Sequence, residues 1–171
     1  MSDAKYHTGF RRLGAAVIDS IIFTPLLMLD LWILNQTDNV WIVFAWTAFN
    51  SALYYLYSIY FHYKFGRTIG KWVLRIKVLD VSENKLLTLK QSFLRDSLYI
   101  VIQIVGLLYF LFLVAKTGDL DIIIMDYRNF IDYSFLCWMA LELITMLTNE
   151  KRRAIHDRLA GSVVIVAKSQ E

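Results

Sequence analysis

Asp19, Asp30 and Glu142 each interrupt a stretch of sequence that is otherwise apolar. An aspartate at the centre of a membrane helix costs about 2.5 to 3.5 kcal/mol on insertion scales, so something nearby must offset it. Acids in such places take up and release protons, pair with cations, or bind neighbouring helices by hydrogen bonds. Asn50 and Gln103 place amides in two further apolar stretches. Asp19, Asp30, Asn50, Gln103 and Glu142 are therefore the candidate ion or proton path.

On a helix turning about 100° per residue, Arg12, Asp19 and Asp30 fall within about 20° of one another and should form one stripe. Counted from Leu13, Asp19 lies about 9 Å along the first stretch and Asp30 about 25 Å, near its far boundary. Pro25 lies between them and is expected to kink the helix. Counted from Tyr133, Glu142 lies about 14 Å along the last stretch, near the bilayer midplane, with Asn50, Tyr54 or Gln103 as expected companions. Packing is the competing role for these acids, and an Arg12 to Asp157 pair would clamp the tail to the bundle.

The elements that must position these groups follow from composition and pattern. The 171 residues are 57% hydrophobic, above the roughly 45–50% of soluble domains, and they fit a single membrane domain. Four apolar spans are expected at about 13–34, 40–63, 97–115 and 133–149, with a loop over 64–96 and a tail over 150–171. The fold class is an all-α polytopic membrane protein with four transmembrane helices and a small cytoplasmic β-hairpin or sheet. Arg75 to Asp80 alternates as a half-buried strand does, Ser82 to Lys85 suits a turn, and Leu86 to Thr88 is expected to return as a second strand. Ser162 to Ala167 is β-branched and can add a third, and Thr88 is placed to cap a helix running into the third span.

Orientation follows the basic residues. With both termini inside, only Lys116 and Arg128 of the 18 Lys and Arg fall outside, which satisfies the positive-inside rule. The external loop from Lys116 to Asp132 is then acidic, and Ile122 to Met125 is expected to rest in the interface. Asp19 and the length of the first stretch speak against a cleaved leader. The basic inner face is expected to meet anionic lipid headgroups.

Several function classes are excluded. Gly66 to Lys71 fails the phosphate-loop pattern, since three residues separate its glycines and Trp72 follows the lysine. No nucleic-acid-binding motif is present. His7 and His62 are too scattered for a metal site, His156 reads as a solvated loop residue, and Cys137 is a lone cysteine in an apolar segment. With no catalytic triad and no cofactor fingerprint, neither an enzyme nor a cofactor or metal is expected.

Gly9-Phe-Arg-Arg-Leu-Gly-Ala-Ala-Val-Ile-Asp19, Gly66-Arg-Thr-Ile-Gly-Lys71 with Arg75-Ile-Lys-Val-Leu-Asp80, and Arg153-Ala-Ile-His-Asp157-Arg-Leu-Ala-Gly-Ser162 together resemble the RDD family. These are small bacterial membrane proteins named for an arginine and two aspartates. The resemblance assigns those places to Arg12, with Arg11 as the alternative, Asp19 and Asp157. It implies a bacterial cytoplasmic (inner) membrane location and a transport activity, which in some members is sodium–proton exchange. The chain departs from the pattern in lacking a glycine before Arg75 and in carrying Ser162 where threonine is usual.

Two functions fit. One is proton-coupled or small-ion transport, in a homo-oligomer because four helices enclose little volume. The other is a non-catalytic scaffold or accessory subunit that docks a protein partner through its loop and tail.

Overall fold

The computed structural model describes residues 4–167; Lys168, counted above among the basic residues, lies outside them. The chain is mostly helical. After a short 3-10 turn at Ala4–Tyr6 come α1 (Gly9–Ile22), α2 (Thr24–Gln36), α3 (Val40–Phe65), α4 (Ile69–Val73), β1 (Ile76–Asp80), α5 (Leu89–Lys116), α6 (Leu120–Leu147), α7 (Ile155–Leu159) and β2 (Ser162–Val166).

The first apolar stretch is two helices, not one. α1 and α2 meet at a bend of 48° around Phe23. Pro25 sits in the first turn of α2, where its missing N–H is no loss. Ser20 Oγ and Thr24 Oγ1 return hydrogen bonds to Ala16 and Ser20 carbonyls, a habit that bends helices. The kink expected from Pro25 is therefore a break, and Asp30 leaves the stripe shared by Arg12 and Asp19.

α5 and α6 are each 28 residues long, about 42 Å, and both are long and apolar enough to cross a membrane. The bent pair makes a third crossing if its halves are one span. α3, at 26 residues, is not among the helices apolar enough to cross, so against the four spans expected the described residues give two, or three with the bent pair.

α6 overturns the expected external loop. Asp119 caps it by accepting from Asp121 N at 3.0 Å and Ile122 N at 3.2 Å, so the helix starts at Leu120 and continues through the acidic segment. Its polar residues Asp121, Arg128 and Asp132 stay exposed. Ile123 and Tyr127 are buried against Phe110, Leu113 and Val43, forming a core between α3, α5 and α6.

The expected hairpin is also absent. β1 pairs antiparallel with β2 instead, Ile76 opposite Val166 and Asp80 opposite Ser162. Leu86 to Thr88 is not a strand, because Thr88 serves as the N-cap of α5 in a reciprocal capping box with Gln91. Ile76, Val78 and Val164 bury their side chains against Ala15 of α1 and Leu87, so the sheet is held to the bundle. α3 ends at Gly66 in the left-handed region (φ 68°), which turns the chain back over β1.

Candidate functional site

Asp19 is buried, 5% exposed, within a cage built by the glycine loop. Thr68, the N-cap of α4, donates to Oδ2 at 2.6 Å, while Gly70 N and Tyr57 Oη donate to Oδ1 at 2.8 Å each. Gly70 is needed for this contact: a Cβ there would lie 2.1 Å from the Ala15 carbonyl oxygen, so α4 rides directly on α1. The acid is thus satisfied by neutral donors, and Arg12, its neighbour on the same face of α1, points elsewhere.

Arg12 goes to Asp157, as the clamp expectation had it. Asp157 is fully buried and takes Arg12 Nη1 at 2.6 Å on one oxygen and Arg95 Nη1 at 2.5 Å on the other. Ala154 N and Ser162 Oγ add hydrogen bonds at 3.2 Å each. Burial alone would raise the Asp157 pKa, but Arg95 and Arg12 reverse this and hold the carboxyl well below the usual carboxylate range. One carboxylate thereby joins α1, α5, α7 and the edge of β2.

Glu142 is not at mid-helix with Asn50, Tyr54 or Gln103. Because α6 begins at Leu120, Glu142 falls within two turns of its end at Leu147, beside the sheet. One carboxylate oxygen meets Tyr99 Oη and the other His156 Nδ1, both at short range. His156 Nε2 lies 2.9 Å from Arg95 Nη2. A guanidinium only donates, so Nε2 accepts and Nδ1 carries the proton given to Glu142. His156, expected in solvent, is instead the link between Glu142 and the Arg95–Asp157 pair.

Toward the other end, Asp30 accepts from Trp46 Nε1, and from Asn50 Nδ2 at 3.0 and 3.1 Å. Gln103 donates to Tyr127 Oη at 2.7 Å. Asn50 and Gln103 both line two adjoining cavities. The one of about 220 Å³ reaches Asp30 and Arg128, and the one of about 390 Å³ reaches Tyr54, Tyr55 and Tyr99. The structure therefore gathers Asp30, Asn50 and Gln103 around one cavity, shares Asn50 and Gln103 with a second that Tyr99 joins to Glu142, and sets Asp19 apart in its own cage.

Arg95 and Tyr99 were not singled out from sequence; Thr68 and Lys71 entered only through the glycine-loop motif, Tyr57 only as a packing or interface residue, and His156 as a solvated loop residue. Arg95 and Asp96 did carry a signal, as two charges at the mouth of the third span. Lys71 Nζ lies 2.9 Å from His62 Nε2. Burial, with repulsion from Arg95, brings the Lys71 ammonium down to about 8. Among the described residues no group of three or more His, Cys, Asp and Glu can hold a metal ion.

Among curated proteins and among solved structures, nothing matches the chain. The sequence profile of the RDD family matches residues 6–161. That match takes in the arginine, the glycine loop and both caged aspartates; the chain belongs to the RDD family.

Proposed function

We propose that this is a multi-pass protein of the bacterial cytoplasmic membrane that couples proton movement to the transport of a small cation, sodium being the first to test. The bent α1–α2 pair, α3, α5 and α6 serve as four crossings, with the sheet and both termini on the cytoplasmic side. The distribution of Lys and Arg supports that orientation. A homo-oligomer is the expected assembly, and the reading assigns no catalysis.

One observation carries the proposal. Tyr99 lines the larger cavity, and its hydroxyl donates to Glu142. The cavity wall is thereby connected to His156, Arg95 and Asp157, so a protonation change at Glu142 reaches both the cavity and the sheet end. Asp30 with Asn50 would receive a cation from the other side.

The test is flux in proteoliposomes under a pH gradient, with sodium or potassium, comparing the parent with Glu142→Gln and Asp19→Asn. The parent should exchange cation for protons and Glu142→Gln should not. Equal leak in all three preparations would defeat the carrier reading and leave that of a docking subunit.

A further inference from the structure

A second run of polar groups lies beside the Asp19 cage and takes no part in the route through Glu142. Lys71 Nζ of α4 reaches His62 Nε2, and His62 Nδ1 lies 3.3 Å from Ser58 Oγ one turn back along α3. The Ser58 hydroxyl in turn faces the Asp96 carboxyl of α5 as a hydrogen-bond partner. His62 is 2% exposed, and Ser58 and Asp96 are 7% exposed each.

The donors fix a direction. An ammonium has no lone pair, so His62 Nε2 accepts from Lys71 and Nδ1 holds the ring proton. Nδ1 then donates to Ser58, which leaves the Ser58 O–H to donate to Asp96. Each link points from the loop into the bundle.

The far end of this chain is unsatisfied. Asp96 Oδ2 is buried with no hydrogen-bond partner among the described residues, and the same holds for Ser92 Oγ, one turn earlier on the same face of α5. A buried carboxylate oxygen without a donor is costly. A proton removes the charge and with it that cost.

We propose that Lys71, His62, Ser58 and Asp96 form a proton-loading site, in which a proton taken up at Lys71 is relayed inward and stored on the Asp96 carboxyl. In the step, a Lys71 N–H bond breaks and His62 Nε2–H forms. His62 Nδ1–H breaks as a new Ser58 O–H forms, and the former Ser58 proton passes to Asp96. The products are a neutral amine, a neutral imidazole in its other tautomer, an unchanged hydroxyl and a carboxylic acid. Lys71 then regains a proton from solvent.

The charged and titratable groups that interact electrostatically with Asp96 are Lys71 of α4, Tyr54 and Tyr55 of α3, Arg95 on its own helix and His156 of α7. Arg12 and Asp19 of α1 act on Lys71. Arg95 is committed to Asp157, which leaves Lys71 as the cation able to exchange its proton. The site rests on the carrier reading for its purpose, since it supplies that carrier with protons from the cytoplasmic side. Its test does not depend on that reading.

The full-length protein in lipid nanodiscs is followed by infrared difference spectroscopy after a downward pH jump, with the proton as the probe. The parent should develop a carboxylic-acid carbonyl band that Asp96→Asn lacks. Lys71→Arg keeps the charge and the donor to His62 but does not release a proton, so a folding defect is not the expected cause of any change. In that variant the band should grow roughly a hundredfold more slowly, the lower factor associated with a positioned proton donor. The proposal is overturned if the parent shows no band that Asp96→Asn removes, or if Lys71→Arg loads as fast as the parent. Because no ion gradient is used, a parent that carries no ion in liposomes still gives one of these results.

Discussion

Replacing Asp157 by asparagine tests whether the tail clamp is a buried electrostatic device. The amide keeps the volume and one acceptor oxygen but removes the charge that neutralises Arg12 and Arg95. Their side chains are 13% and 5% exposed, so water cannot take over that role. Two like charges held on opposite oxygens of one carboxylate, about 4–8 Å apart, repel by about 2–4 kcal/mol at an effective dielectric of about 20. Removal of one partner from a buried ion pair costs about 3–5 kcal/mol. Against a total stability of about 5–15 kcal/mol, that is about a fifth or more. The assay is chemical denaturation in detergent micelles, with hydrogen exchange over Ile155–Val166 reporting release of the tail. Replacing all three charges together, Arg12→Met, Arg95→Met and Asp157→Leu, should recover most of the loss, because no desolvated charge then remains. A cost below about 1 kcal/mol for Asp157→Asn, the scale of an exposed pair, would refute the reasoning. The pH response follows from the depressed Asp157 pKa. The clamp's contribution is complete above the unfolded value of about 3.9 and is lost only as pH falls toward the lower folded value, so it should be constant from pH 5 to 8.

Gly70→Ala should destabilise by about 1–3 kcal/mol, measured by the same denaturation. Adding Ala15→Gly should not rescue it, since the clash is with backbone. Tyr99→Phe removes the donor to Glu142 and should cost about 1.5–3 kcal/mol if Glu142 is charged. The same variant should lower proton-coupled flux in liposomes, and unchanged flux would detach the cavity from Glu142. Lys71, with its pKa lowered to about 8, releases its proton before the unfolded chain does near about 10.4. Stability should therefore rise with pH across that window, and Lys71→Met should flatten the rise in denaturation series.

The sequence made some of this legible and obscured the rest for physical reasons. Arg12, Asp19 and Asp157 stood out because charge next to apolar residues needs a partner, and the Arg12–Asp157 pair is present. Strands 76–80 and 162–166 were visible in their alternation and β-branching. Their pairing was not, because Thr88 looks equally suited to ending a strand and to capping a helix. The acids from Asp119 to Asp132 read as a loop, yet Asp119 is a good N-cap, Asp121 and Asp132 are exposed on α6 and Asp126 is half-buried there. Starting the helix at Tyr133 instead of Leu120 put Glu142 near its midpoint, whereas in α6 it lies about 13 Å past the midpoint. That start therefore hid His156 as its partner. Arg95 meets Asp157 across 62 residues, a distance over which no local periodicity carries information.

The partnership of β1 with β2 has a consequence for biogenesis. The two strands are separated in the chain by the whole of α5 and α6, so the sheet can close only after both helices have been synthesised. Until then a nascent chain exposes a strand edge along Ile76 to Asp80 and two arginines lacking their shared carboxylate. On the proposed topology, a molecule that threads either helix the wrong way would leave its tail across the membrane from β1. With four crossings as proposed, closure of this small sheet would therefore require both helices to be inserted in the right direction.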